Sequence, residues 1–581
     1  MRDVRYLQRF MINKNKENTV TSLIPSGMFL TVILLVALYF ILMLIGTELG
    51  PRDEYNFLPT LQRGLSLPSM FDGRYPYTDI NALGRFMPLA MQEFNLIGYL
   101  SNKPFWYFFA MGIELVVFIV IYNIHIKEFI TDKFVRHMAL IVVLLSPGFV
   151  TAFFEIPSQE RQVVVLLIAF LLCYTAFSRN RQPIAFFASL LFANLSIYYK
   201  EPVFVAIAAF AFSHMILTWR ERDLWSKVLD GLLMASAAVF LALYVILVIP
   251  KQGVSYIYST ENPLLVLVRN VANYSFYSDP IPLLLLCPLA GWRMYILIKG
   301  KEEPHPILDP LGFAGAAYVG VYLVLNIYGP YFLFPAWVMA IPPLLYFYLQ
   351  KRPVKVFWRA AFFITVLVFL VNTVPFSAYV LTYDKYLPIN FNHTTNFLVA
   401  DIKHRYPGER ANIFLDSIDR DGGRATYFIF GEYLKFKGLT IVDFDMRSVD
   451  KNETWKPLQL KPSPFDSRED IDSVVEHYGY KNRQFPYTLM QPGGVSEIKK
   501  GDYLVVTPEN PNNIDKEYIA ALEGEYDLLF ATKSPFAIPS MNAKAVVKLL
   551  VASLLGKEES ARFLHTRNIM KWPDYYVFIK R

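Results

Sequence analysis

The sequence predicts a polytopic α-helical membrane protein of about eleven transmembrane helices, followed by a C-terminal α/β domain on the extracytoplasmic side. Composition, span length and loop charge together predict it. Hydrophobic residues make up 54% of the 581-residue chain and charged residues only 18%, against about 25% charged in a typical soluble protein. A run of apolar stretches approaches the roughly 20 helical residues that a bilayer core requires. The loops between them alternate between Lys/Arg-rich and nearly bare of Lys/Arg, the pattern that marks cytoplasmic and opposite sides.

The spans read as Gly27–Gly46, Pro104–Ile124, His137–Phe154, Gln162–Phe177, Ile184–Tyr199, Pro202–Trp219, Leu229–Ile249, Ile281–Ile298, Leu311–Ile327, Tyr331–Leu349 and Ala360–Leu381. Basic loops around Arg5, Lys133, Arg179, Arg222, Lys299 and Arg352 fall on one side, which the positive-inside rule makes cytoplasmic. The short loops Glu155–Arg161, Lys200–Glu201 and Asn326–Pro330 fall on the other. The basic N-terminal stretch is then cytoplasmic and reads as no cleavable signal. Residues 1–381 form the membrane module, with a long first external loop at 47–103, and residues 382–581 the external domain.

In that domain Ala411–Leu415, Leu439–Phe444, Tyr503–Thr507 and Tyr526–Phe530 read as short buried strands, Tyr575–Ile579 as a last edge strand, and Ala425–Phe436, Ile471–His477 and Lys516–Leu522 as helices. Alternating elements of this kind make a small α/β fold. Asp416 to Gly423 follows a strand and Asp443-Phe-Asp445 follows the next; both read as solvated loops. The only cysteines, Cys173 and Cys287, lie in apolar runs, so the domain has neither a disulfide framework nor a cysteine metal site. The net charge of +7 is accounted for by cytoplasmic loops and calls for no nucleic-acid partner. No His spacing suggests a metal, and no cofactor is expected.

The first external loop carries the chain's only Asp-Glu dipeptide, Asp53-Glu54, after Arg52 and just beyond the first span. Tyr55, Leu58, Leu61 and Leu65 keep a helical rhythm, so an interfacial helix is expected there. A second, capped by Asn81, would place Phe86, Leu89, Ala90, Phe94 and Ile97 on one stripe with Arg85 and Glu93 elsewhere. A polar turn containing Asp79 separates the two. Glu155, Glu160, Arg161, Lys200 and Glu201 mark the ends of other spans at the same face. Charges at such depth tend to face a water-filled cavity. The loop holding Tyr256 and Tyr258 is aromatic and suits a lipid entrance, and Tyr331 suits a cavity wall or an interfacial aromatic belt.

With a cytoplasmic N-terminus, Asp53-Glu54 after the first span, two interfacial helices and an external domain after the last span, the chain resembles the GT-C superfamily of membrane glycosyltransferases. It is most similar to the branch of protein O-mannosyltransferases and the bacterial lipid A aminoarabinose transferase. That resemblance implies a polyprenyl-phosphate sugar donor, a glycan, lipid or protein acceptor, membrane lipids as surroundings, and inversion without an essential metal. It implies Asp53 as the base and Glu54 as an acceptor-orienting carboxylate. The family's late-span Arg-Tyr pair is replaced here by Asn326-Ile-Tyr-Gly-Pro-Tyr331. A sugar-phosphate leaving group needs cations where no metal serves, and Arg52, Arg85, Arg161 and Lys200 are the candidates. Asp79, Glu93, Glu155, Glu201, Tyr256, Tyr258 and Tyr331 are the candidate substrate contacts. The alternative is a transporter or flippase of a lipid-linked glycan, which internal repeats and broken helices would favour. A cysteine-free exposed domain suits a bacterial inner membrane, while Asn392-His-Thr and Asn452-Glu-Thr leave a eukaryotic lumen open.

Overall fold

The computed structural model describes residues 27–51, 86–220, 223–249, 263–350, 356–416, 429–449, 490–508, 516–538 and 572–581, apart from single positions within those ranges. In chain order the helices are α1 (Gly27–Leu44), α2 (Gln92–Leu100), α3 (Pro104–Lys127), α4 (Lys133–Leu144), α5 (Pro147–Phe154) and α6 (Glu160–Asn180). They continue with α7 (Pro183–Tyr199), α8 (Val203–Thr218), α9 (Leu224–Leu247), α10 (Pro263–Asn273), α11 (Ile281–Ile298), α12 (Leu308–Val324), α13 (Phe334–Tyr348) and α14 (Arg359–Arg405). Six of them, α1, α3, α6, α9, α11 and α14, are long and apolar enough to cross a membrane, while α7, α8, α12 and α13 are apolar but shorter.

The sequence reads His137–Phe154 as one straight span; the structure breaks it. α4 and α5 meet at a bend of 62°. Pro147 opens α5, and the Ser146 hydroxyl accepts the Phe149 N–H at 3.2 Å. A cap followed by a proline at the first helical position starts a new helix. All of α5 is buried. Its Gly148 meets the chain before α13 so closely that a Cβ there would lie 3.0 Å from the Pro330 carbonyl oxygen. In lipid, where apolar side chains gain little by leaving one apolar medium for another, such small-residue contacts hold helices together.

The last span was expected to end at Leu381. Instead α14 runs 47 residues, from Arg359 to Arg405, with a π-helical stretch at Phe369–Thr373. Polar residues after Leu381 end the hydropathy but not the helix. Its far half enters the sheet: Phe391 packs on Phe430, Tyr433 and Tyr575, and Asn390 donates to the Pro573 carbonyl and Asp574.

Among the described residues the sheet has six strands in the order β3-β2-β1-β4-β6-β5, which places the last strand, expected at an edge, inside the sheet. They are β1 (Ala411–Asp416), β2 (Phe444–Val449), β3 (Met490–Ser496), β4 (Tyr503–Val506), β5 (Tyr526–Ala531) and β6 (Tyr576–Lys580). β1 to β4 are parallel, while β6 runs antiparallel to both β4 and β5. A segment at 429–436, less residue 432, and α15 (Lys516–Glu525) are helical. The expected strand at Leu439–Phe444 starts only at Phe444. Before it, the Asp443 carboxylate accepts from the Thr440 N–H at 2.5 Å and its hydroxyl at 2.7 Å, a side-chain turn that competes with extended pairing. Strand β3 has no clear strand pattern in the sequence because it contains Pro492-Gly493-Gly494, which the sheet edge tolerates. The expected helix Ile471–His477 lies outside the described residues.

The strands have a definite direction along α14. Tyr503, opening β4, donates to Asp401 near the helix's far end at 2.7 Å. Val506, closing β4, pairs with Tyr576, next to the Asp574 and Tyr575 that meet Asn390 and Phe391. The carboxyl ends of β1 and β4 therefore face back toward the helical bundle. There the strand order reverses, since β1 leads to β2 on one side and β4 lies on the other.

Candidate functional site

At the end of the bundle nearest the sheet, several helices leave charge. Most of these groups are placed by a helix end, while Glu114 lies within α3. α6 begins Glu160-Arg161-Gln162, α7 ends at Tyr199 and is followed by Lys200-Glu201, α2 carries Glu93, and α3 carries Glu114.

Arg161 is completely buried. Its Nε donates to Glu114 Oε2 at 2.5 Å, Nη1 to the Ala152 and Glu155 carbonyls at 3.0 and 3.4 Å, and Nη2 to the Ile156 carbonyl at 3.3 Å. Gln162 Nε2 donates to both Glu114 oxygens, at 2.7 and 2.9 Å. Glu93 stands 4.0 Å from Arg161 Nη2 and accepts the Tyr199 hydroxyl. A guanidinium so enclosed is tolerable because nearly every N–H has a partner. Burial first, and Glu114 second, push the Glu93 carboxyl up to about 7, against the opposing pull of Arg161 and Tyr199.

Lys200 is also buried. Its Nζ lies 3.0 Å from Glu160 Oε1, donates to Gln159 Oε1 at 2.9 Å, and sits 5.5 Å from the Phe332 ring centroid. Tyr331 packs on Phe332 with ring centroids 4.5 Å apart, which brings it beside the Lys200 pair. Glu201 Oε1 accepts the Phe86 N–H at 2.9 Å, and the Tyr198 carbonyl accepts the Leu89 N–H at 3.2 Å. Both bonds tie the incoming first loop to the α7–α8 turn.

The expected helix from Asn81 through Ile97 is shorter here. Phe86-Met87 belongs to no helix or strand, residues 88–90 turn, and α2 starts at Gln92. Pro88 explains this, since it pushes the residue before it out of helical conformation. The structure thus brings Glu93, Glu155, Arg161, Lys200, Glu201 and Tyr331 to one region. Arg52, Asp53, Glu54, Asp79, Arg85, Tyr256 and Tyr258 lie outside the described residues, as does the expected first interfacial helix. The chain leading to Asp53 is nevertheless held. Asn392 Nδ2 donates to the Leu49 carbonyl at 2.8 Å, and the Tyr433 hydroxyl donates to the Gly50 carbonyl at 2.9 Å.

Neither Glu114 nor Asp279 is among the candidate residues named from the sequence. Asp279 is fully buried between α10 and α11, accepting from Trp337 Nε1 at 2.5 Å and from the Ser278 hydroxyl. Its partner is 58 residues away, so no local spacing signals it. Among the described residues no three His, Cys, Asp or Glu side chains converge as a metal site would need.

No protein-family model and no curated protein matches the chain. Among solved structures, the fold is similar to ArnT from Cupriavidus metallidurans, solved bound to undecaprenyl phosphate. That match has 12% identity and a TM-score of 0.40, and covers 86% of this chain and 96% of ArnT. It is also similar to the archaeal oligosaccharyltransferase AglB from Archaeoglobus fulgidus, solved with an inhibitory peptide and a dolichol-phosphate. There the identity is 12% and the TM-score 0.38, with 95% of this chain and 88% of AglB covered.

Proposed function

We propose that the chain is a membrane glycosyltransferase that moves a sugar from a polyprenyl-phosphate donor to an acceptor hydroxyl at the sheet-side face. The observation that carries this reading is that Leu49 and Gly50, which precede Asp53-Glu54 in the chain, are held by Asn392 and Tyr433 at the same end of the bundle as the Glu93–Arg161–Lys200 cluster. Asp53 takes the proton of the acceptor hydroxyl as its oxygen attacks the anomeric carbon. The sugar–phosphate bond breaks, the lipid phosphate leaves with the electron pair, and one such displacement inverts the centre. Glu54 orients the acceptor. Arg52, Arg85 and Lys200 face the departing phosphate, while Arg161, bound to Glu114 and three carbonyls, braces α3, α5 and α6 around it. The carboxyl edge of the sheet, where β1 and β4 diverge, is the acceptor's side, as such edges commonly are in open α/β sheets.

The test is Asp53→Asn in the purified full chain, assayed for release of lipid phosphate from a panel of polyprenyl-phosphate sugars. Loss of a positioned base costs about 10²- to 10⁴-fold in rate. Unchanged transfer by a folded mutant removes the mechanism.

A further inference from the structure

A departing lipid phosphate gains, beyond Lys200, from positive charge that no protein carboxylate shares. Arg161 and Lys200 each have a carboxylate partner. Lys385 has none among the described residues. It projects from α14, four residues past Leu381, where the apolar stretch ends. Its Nζ lies 3.4 Å from the Gly46 carbonyl and 5.7 Å from the Phe108 ring centroid. Three elements meet there: the end of α1, the second turn of α3, and α14. All three are at the sheet-side end of the bundle.

The surroundings are those of a membrane boundary. Phe108 is buried, but Phe105 and Trp106 beside it are 38% and 45% exposed, and Phe109 bridges their rings to Phe40 of α1. Aromatic rings of this kind sit at headgroup depth. Here a half-buried amine has one long contact to a carbonyl and one to a ring face. Gly46 precedes Asp53 by seven residues on the segment that Asn392 and Tyr433 anchor. The amine therefore lies beside the stretch that precedes the proposed base in the chain.

We propose that Lys385 receives the phosphate of a membrane lipid at the junction of α1, α3 and α14, and that this lipid is the polyprenyl-phosphate donor. The assignment rests on the proposed function for the identity of the lipid; its chemistry, a phosphate arriving from the bilayer, does not. The ammonium acts as a point charge on the phosphate oxygens, and the Gly46 carbonyl orients it.

The test uses the full chain in detergent, titrated separately with undecaprenyl phosphate and with phosphatidylglycerol, while its melting temperature is followed. Lys385→Gln weakens undecaprenyl-phosphate binding about tenfold, as loss of one charge-assisted hydrogen bond does. Lys385→Arg keeps binding within about threefold. If phosphatidylglycerol binding is unaffected, the donor assignment stands. An equal loss for both lipids supports the phosphate seat and assigns it to bulk phospholipid instead. If Lys385→Gln binds both lipids as wild type does, the proposal is overturned and Lys385 merely snorkels to the headgroups. An equal loss in a stable Lys385→Arg variant overturns the role of charge. A wild type that binds no undecaprenyl phosphate refutes the glycosyltransferase reading, and the phosphatidylglycerol arm still decides the fate of Lys385.

Discussion

Glu93 shows how one residue can gather several influences. Its carboxyl is pushed up to about 7, mostly by burial beside Glu114, while Arg161 and Tyr199 pull the other way. A raised carboxyl favours the neutral form in the fold. Its contribution to stability is complete below about 4.5 and is lost as pH rises through about 7. Glu93→Gln removes that dependence. The melting temperature of the wild type should fall across this window more steeply than that of the variant, and parallel curves would show that Glu93 is not the titrating group. The sequence marked Glu93, Arg161 and Lys200 as charges at one face. It could not show that Arg161 and Lys200 are already held by Glu114 and Glu160. Those pairings depend on how α3 and α6 pack and how the α7 end meets the α6 start, and no local spacing encodes that.

Among the elements, those legible from the sequence were the ones with an uninterrupted pattern. The expected spans Gly27–Gly46 and Pro104–Ile124 match α1 (Gly27–Leu44) and α3 (Pro104–Lys127) to within three residues, and β1, β4, β5 and β6 fall within a residue or so of their expected bounds. The elements misread were those whose ends are set by single residues. Ser146-Pro147 divides α4 from α5, Pro88 delays α2, and Asp443 delays β2. Each signal was present in the sequence and was outweighed by a longer apolar run. The short helix α5 depends on close approach. Gly148→Val would put atoms against the Pro330 carbonyl, where backbone cannot yield as a flexible side chain can. Overpacking of this kind costs about 1–3 kcal/mol, so the melting temperature in detergent should drop. A melting temperature at the wild-type value would mean that the contact relaxes freely.

For the whole molecule, the sequence divided the chain after Leu381, and the structure joins the two parts there instead. The hydropathy profile reports the solvent around a helix, not whether the helix continues. The sheet also grips the membrane part directly, through Tyr433 on the Gly50 carbonyl. Tyr433→Phe keeps the ring that packs at 4.6 Å on Phe391 and deletes only the hydroxyl. One hydrogen bond is worth about 0.5–1.5 kcal/mol. If the chain has the proposed activity, turnover from a polyprenyl-phosphate sugar should therefore fall by up to about tenfold with the fold and lipid binding intact. Unchanged turnover would separate the sheet from the reaction.

The unbroken α14 has a mechanical consequence. At about 1.5 Å per residue its 47 residues form a rod roughly 70 Å long, with one half in lipid and the other built into the sheet. A helix adjusts to a thinner bilayer by tilting, and a continuous helix that tilts at one end moves the sheet at the other. Bilayer thickness is thereby converted into the height of the sheet above the membrane, and under the proposed function that height is the gap through which an acceptor would pass.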